Sequence, residues 1–398
     1  MTESWTGTVQ DLLPEDVQDA LLVGRVWLPE VAGPAVVACR DGAVLDLSGT
    51  FATMRDLTEH PDPAGAVRAA DGPQVATLAD LWANTDPDRR DPQRPWLLSP
   101  IDLQVIKAAG VTFPVSMLER VIEEQARGEA DSARGIRETV LAALGGDIRD
   151  LVPGSPEAAR LKEALVAEGL WSQYLEVGIG PDAEVFTKAP VLASVGAGAD
   201  VGVLASSAWN NPEPEVVLAV SATGRIVAAT LGNDVNLRDV EGRSALLLGR
   251  AKDNNASAAL GPFLRLFDDD FTLADVREAT VRLTVTGADD FVMSASSHMD
   301  QISRDPADLV RQTVGEHHSY PDGFVLYLGT MFAPVDDRDE VGQGFTHHVD
   351  DIVRISSPRL GTLVNRVRHS ESIEGWTFGI GALISNLAAR GLLGRTRS

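Results

Sequence analysis

The sequence predicts an α+β fold, and three observations predict it. Short apolar runs broken by Pro, Gly and Asp fill the first hundred of its 398 residues. Helical periodicity then takes over. From about residue 170 strands and turns return and dominate to the end. The division expected from this texture is an N-terminal β-rich then helical domain over 1–165 and a larger, strand-dominated domain over 166–398. A soft prior of roughly 150 residues per domain allows two or three domains.

In the first domain, "GRVWLPE", "PAVVACRDGAVLDLS" and "PQVATLADLW" read as strands, and "ANTDPDRRDPQRPWLLSP" as a polar, proline-laden loop. "VSMLERVIEEQARG" sets Met117, Leu118, Val121 and Ile122 on one helical face, and "SARGIRETVLAAL" and "SPEAARLKEALVAEGL" continue the period. Ser155 before Pro156 is an N-cap followed by proline at the first helical position. Beyond them, "EVFTKAPVLASVG" is a strand, and "PEVVLAVSATGRIVAATLG" is a hairpin turning through Thr223 and Gly224. "EGRSALLLGRAKD" is helical and "EATVRLTVTGADDFVMSA" alternates as a second hairpin. "DPADLVRQTVGEHH" is a helix capped by Asp305, and "GFVLYLGTMFAP" and "DDIVRISSPRLGTLVNRV" close the set as strands. The apolar segment 375–393 carries Asn386 and Arg390 and reads as a docked helix rather than a membrane span.

Composition narrows the function. A hydrophobic share of 44% with 23% charged residues is that of a soluble globular chain with a core. The net charge of −24 is spread along the chain and repels phosphate backbones and anionic lipid, so nucleic-acid and membrane partners are not expected. The lone Cys39 sits in an apolar run and reads as a buried, inert thiol in a reducing cytosol. The acidic, polar start does not have the pattern of a secretory signal, so a cytoplasmic location is expected.

The stretch "NNPEPEVVLAV" sets Glu213 and Glu215 two apart, on one face of a strand about 7 Å from each other. Such a pair repels unless a cation lies between them. Pro214 faces the other way and marks a strand beginning or an edge. The returning strand of the hairpin brings Asp234, in "LGNDVNLRD", back beside the pair. Three converging carboxylates form a hard-cation site suited to Mg²⁺ or Mn²⁺; alternatively, they line a solvated strand edge.

Other patterns carry less. The glycines of "VGAGADVG" lack the spacing and βαβ setting of a dinucleotide loop and read as a turn. The His317–His318 and His347–His348 pairs lack zinc-ligand spacing and read as surface or packing residues. "DDRDE" lacks the glycine and glutamate of a calcium loop and reads as solvated.

"NNPEPEVVLAV", "GNDVNLRD", "GRAKDNNASAALGPF" and "SPRLGTLVNRV" together resemble, in that order, the motif series of the fumarylacetoacetate hydrolase family, over roughly residues 170–370. "SPIDLQVIKAAGVTFPVSMLERVIEE" and the "WNNPEPE" form resemble the branch of 2-keto-3-deoxy-pentonate dehydratases. The resemblance implies a mixed β-roll in the C-terminal domain and a homodimer or higher homo-oligomer. It implies Mg²⁺ as cofactor, with Mn²⁺ or Ca²⁺ as substitutes, held by Glu213, Glu215 and Asp234. It places catalysis at Glu184, in "DAEVFTKAP", and at Lys252, with Lys252, Thr362 and Arg238 touching a small 2-keto acid. Ala183 departs from the proline of the family pattern. Desolvation is expected to lower the pKa of Lys252 to that of a base, or leave it charged beside an enolate; Glu184 is expected to stay protonated and donate to a departing hydroxyl. The activity implied is dehydration of 2-keto-3-deoxy-arabinonate or -xylonate to 2-oxoglutarate semialdehyde. A hydrolase of a 2,4-diketo acid and a non-catalytic binding or assembly partner are the alternatives.

Overall fold

Strand Pro214–Val220 is buried along its whole length, and the reason is visible on its two faces. Val216, Leu218 and Val220 enter one core cluster, while Val217 and Ala219 enter another. A strand covered on both sides reads as a continuous apolar run rather than an alternation, which is why "VVLAV" is unbroken. The computed structural model describes residues 5–126, 151–167, 171–332, 334, 336–339 and 344–394.

That strand belongs to an eleven-stranded mixed sheet. Its spatial order is Gln74–Thr77, Ala43–Asp46, Gly33–Arg40, Leu22–Leu28, Ala258–Leu266, Ile226–Asp234, Pro214–Val220, Phe324–Tyr327, Val105–Gly110 and Glu184–Ala189, with Trp96–Leu97 pairing beside Leu22–Leu28. Neighbours along this path are antiparallel except Phe324–Tyr327 and Val105–Gly110. A five-stranded sheet runs Val292–His298, Thr280–Thr286, Ile352–Ser357, Gly361–His369, Asp200–Val203. Leu283, Ile355 and Leu363 of this sheet share a core cluster with Leu218 and Leu231 of the large one. The expected α+β class and mixed β-roll are the architecture found.

The boundary expected at residue 165 does not divide the sheets. Leu22–Leu28 hydrogen-bonds to Ala258–Leu266, and Val105–Gly110 lies between Phe324–Tyr327 and Glu184–Ala189. Strands from both halves of the chain therefore complete one sheet, and an isolated N-terminal half would expose sheet edges.

Both expected hairpins form. Gly224 turns the first at φ +79, a left-handed conformation that glycine adopts without strain. Ser155 accepts the Ala158 N–H at 3.1 Å to open the helix Pro156–Ala167. Asp305 caps Pro306–Thr313 through the Ala307 N–H. "PQVATLADLW" is not one strand: Thr77 accepts the Asp80 N–H and converts the chain into the helix Leu78–Ala83. Met117, Val121 and Ile122 of the helix Pro114–Gln125 are buried as expected; the Leu118 side chain and the helix expected over 132–144 lie outside the described residues. The C-terminal helix Ile380–Ala389 docks through buried Leu383 and Leu387, with Asn386 donating to the Val31 carbonyl and Arg390 to that of Pro34. Among the described residues no helix is long and apolar enough to cross a membrane. Cys39 is buried, which pushes its thiol up to about 11, so it is protonated and inert at neutral pH.

Candidate active site

The first hairpin builds the acidic cluster. Its register sets Glu215 opposite Gly232 and Pro214 opposite Asn233, and the Asp234 N–H donates to the Glu213 carbonyl at 3.0 Å. Asn233 accepts the Glu213 N–H at 3.1 Å and fixes the residue that enters the strand. Pro214 is the first residue of a central strand, where its missing donor is tolerated. Carboxylate oxygens of Glu213, Glu215 and Asp234 lie within 4.8 Å of one another, all three residues buried. The solvated-edge alternative is thereby excluded.

Three cations surround the triad. Lys252, ending the short helix Leu248–Lys252, bonds Glu213 and lies 3.1 Å from Asp234. Lys188 reaches the other Asp234 oxygen at 2.8 Å and donates to the Val235 carbonyl at 3.0 Å. Arg120, from the helix Pro114–Gln125, bonds Glu213 on one side and lies 2.8 Å from Glu241 on the other. Among the described residues Glu215 has no such partner: one oxygen accepts the Gly329 N–H at 2.6 Å. Burial, then the Asp234 and Glu213 carboxylates, hold Glu215 well above the usual carboxylate range.

Burial works against the ammonium of Lys252, but Asp234, Glu213 and Glu241 outweigh it and raise its pKa above that of an ordinary lysine. Of the two expectations for Lys252, a lowered, base-like amine or a retained charge, the carboxylates at hydrogen-bond distance favour the retained charge.

Glu184 opens its strand opposite Gly110, and a Cβ at 110 would lie 2.1 Å from the Glu184 carboxylate, so glycine there makes the room. Glu184, Phe186 and Lys188 follow the strand period onto one face. Burial, then the Glu241 carboxylate, push Glu184 up to about 7, against the pull of Arg120 and Lys252. Glu184, Lys252, the triad, Arg120, Glu241, Phe186, Ser116 and Thr330 line one small cavity.

The structure does not bring Thr362 or Arg238 into that lining. Thr362 pairs with Ser356 in the five-stranded sheet. Arg238 is buried, donates to the Pro334 carbonyl at 3.2 Å and stacks over Trp209. Thr330 follows Gly329, whose N–H holds Glu215, and it lines the cavity. Arg120, Lys188, Glu241 and Thr330 were missed. Only Lys188 had a signal, its even spacing from Glu184. Among the described residues no histidine lines the cavity. His347 is buried 3.1 Å from Asp351, which Arg338 also holds, a packing role as expected. Arg338 likewise ties "DDRDE" to Asp289 at 2.9 Å, so that stretch is pinned rather than merely solvated.

No family model matches the chain. A Haloferax volcanii protein described as a probable 2-keto-3-deoxyxylonate dehydratase is 26% identical over 335 residues, 83% of this chain and 94% of that one. The 2-dehydro-3-deoxy-D-arabinonate dehydratase of Saccharolobus solfataricus is 28% identical over 197 residues, 48% of this chain and 60% of that one. A solved 2-keto-3-deoxy-D-arabinonate dehydratase, complexed with magnesium and 2,5-dioxopentanoate, matches with a TM-score of 0.59 at 19% identity, over 88% of this chain and 99% of that one. These likenesses agree with the family resemblance that the four sequence motifs carry, and the solved structure shares the fold. The fumarylacetoacetate hydrolase-type roll is what curls the large sheet until Lys188 and Asp234, on strands far apart in its order, share one site.

The donor set fits a divalent cation. It consists of oxygens alone, as hard cations require. The lining together with Lys188 holds five carboxylates and three cations, an excess of two negative charges when all five are ionised. Glu215, buried beside Asp234 and Glu213, is raised well above the usual carboxylate range, as a deficit of positive charge there requires.

Proposed function

We propose that the protein is a Mg²⁺-dependent dehydratase that converts a 2-keto-3-deoxy-pentonate, arabinonate or xylonate, into 2-oxoglutarate semialdehyde. The observation that carries this reading is Glu184, held near pH 7 in the same cavity as the carboxylate triad and a charged Lys252. The dehydratases among the similar proteins, one of them holding magnesium and 2,5-dioxopentanoate, support the substrate class.

A cation held by Glu213, Glu215 and Asp234 supplies Lewis-acid polarisation of a 2-keto group. The chain's own groups do the rest. Lys252 keeps a positive charge at the same end of the cavity, favouring negative charge on the keto oxygen as a C3 proton leaves. Glu184 as carboxylate takes that proton. The same proton, returned to the C4 hydroxyl, lets the C4–O bond break as C3=C4 forms, and water departs. Tautomerisation through C5 then yields the aldehyde. A carboxyl group near neutrality serves both transfers without a second acid. Thr330 is assigned the substrate contact expected of Thr362 and Arg238. A homo-oligomer working in the cytoplasm completes the proposal, supported by the resemblance and the single buried thiol.

The test is incubation of purified protein with Mg²⁺ and each candidate acid, the products identified by mass. Loss of one water supports the reading. Gain of water with chain cleavage assigns a 2,4-diketo acid hydrolase instead, and folded, Mg²⁺-binding protein that turns over neither acid is a non-catalytic member.

A further inference from the structure

Among the described residues Arg120 is the one cation of the cavity that comes from the helix Pro114–Gln125 rather than from the sheet or its short connecting helix. Its side chain is only 9% exposed. One guanidinium nitrogen bonds Glu213 and the other lies 2.8 Å from Glu241. The second Glu213 oxygen is bonded by Lys252. Both oxygens of one expected cation ligand are therefore already held by positive side chains of the protein. A divalent ion and a guanidinium on the same oxygen repel each other strongly in a buried site. One must yield.

The three cations differ in what they can do when that happens. Lys188 is fully buried and bound to Asp234 and to two backbone carbonyls. Lys252 is shared between two members of the triad. Of the two cations that bond Glu213, Arg120 has its other arm on a side chain outside the triad, Glu241, so it keeps an anchor when the first arm is released. A planar guanidinium released from Glu213 suits a carboxylate, which it grips with paired N–H donors.

We propose that Arg120 exchanges Glu213 for the carboxylate of the 2-keto acid: a divalent cation binding at Glu213 releases Arg120, and Arg120, held in place by Glu241, then binds the substrate. Arg120 is thus a substrate-binding residue and Glu241 its positioning residue. The identity of the anion rests on the dehydratase reading, whereas the competition between Arg120 and the cation does not. Two consequences follow that direct chelation alone would not give. Arg120 weakens cation binding in the empty site, and it strengthens acid binding only once the cation is present.

The test is titration calorimetry with Mg²⁺ alone, then with pyruvate at saturating Mg²⁺. Pyruvate has a 2-keto acid head but no C4 hydroxyl, so nothing is turned over. Arg120→Gln is expected to bind Mg²⁺ several-fold more tightly than the parent and to lose about ten-fold or more in pyruvate affinity. Arg120→Lys is expected to recover part of that loss. Glu241→Gln, which leaves Arg120 and the triad intact, is expected to weaken pyruvate binding and serves should Arg120→Gln fail to fold. Unchanged pyruvate affinity in either Gln variant, or weaker Mg²⁺ binding in Arg120→Gln, overturns the proposal. Because these readouts need no turnover, a protein that behaves as expected here yet dehydrates no pentonate sinks the substrate assignment and leaves the exchange standing.

Discussion

Lys188 and Asp234 meet at 2.8 Å although their strands are separated by three others in the large sheet. Only a sheet that curls back on itself can close that gap, so the ion pair is a measure of the roll. Lys188 is fully buried, and its other partners are the carbonyls of Val235 and Lys252. The pair thus ties the last strand of the sheet to the end of the triad hairpin.

Lys188→Met is expected to destabilise the fold by about 3–5 kcal/mol, since it leaves a buried carboxylate with one partner fewer. Denaturant unfolding without added metal measures it. Saturating Mg²⁺ should return part of the loss, because the cation supplies charge to the same Asp234. A change of under 1 kcal/mol, on the scale of a surface pair, would show that the pair does not hold the roll closed.

Glu184→Gln is expected to lower kcat by about 10²–10⁴-fold, the usual worth of a positioned acid–base group, while Mg²⁺ affinity stays within about two-fold. Its sign with pH is set by the raised pKa of about 7. Activity that begins with the carboxylate rises through pH 7 and levels above it, and Glu184→Gln lacks the inflection. Stability moves the other way. A carboxyl raised from its ordinary value contributes stability fully present below that value and lost as pH rises through about 7. The Gln variant should therefore gain on the parent at pH 8 but not at pH 4. A pH–rate profile identical in both proteins would remove Glu184 from the chemistry.

How much of this was legible depended on how local the signal was. Glu213, Glu215 and Asp234 could be read because strand period and one hairpin fix their geometry within about twenty residues. Lys188 was equally readable from its four-residue spacing to Glu184, yet a lysine in a strand looks like any solvent-facing residue until its face is known to be buried. Arg120 and Glu241 carried no signal, since only tertiary packing sets that helix over the triad. Leu-Gly-Thr occurs at both 328–330 and 360–362; the first follows a strand of the large sheet and reaches the cavity, the second leads into a strand of the small one. That one sheet takes strands from both sides of residue 165 was not legible either, because pairings such as that of Phe324–Tyr327 with Val105–Gly110 leave no trace near either strand.

Gly232 faces Glu215 across the hairpin, and a Cβ there would meet Tyr327 at 2.4 Å and Val217 at 2.5 Å. Tyr327 cannot simply withdraw, being fully buried with its hydroxyl donating to the Ala259 carbonyl at 2.7 Å. Gly232→Ala is expected to destabilise by about 1–3 kcal/mol through overpacking, with Mg²⁺ affinity falling as Glu215 shifts. Denaturant midpoint and calorimetry check the two effects, and an unperturbed midpoint would mean the ring has room that these contacts deny.

Glu215 makes the last prediction, because the cation must compete there with a proton. Burial and the neighbouring Asp234 and Glu213 carboxylates hold its pKa well above the usual range, so below that raised value the metal-free protein carries a neutral Glu215. Ligation requires the carboxylate, so binding expels the proton. Mg²⁺ affinity is therefore expected to rise with pH from the ordinary carboxylate range upward and to flatten once Glu215 ionises unaided. Calorimetry in buffers of different ionisation enthalpy should register proton release on binding at the lower pH values. Glu215→Gln should bind Mg²⁺ weakly at every pH and release no proton from this position, while Asp234→Asn, whose parent carboxylate is held ionised by Lys188 and Lys252 against the opposing effect of burial, should lose affinity yet keep the pH trend. Thermal unfolding gives an independent reading. At a free Mg²⁺ concentration of 100 times Kd the parent gains about 2.7 kcal/mol, and chelation removes it, with a smaller gain at low pH. Affinity that is flat with pH and free of proton release would mean that Glu215 is not the ligand whose charge the cation supplies.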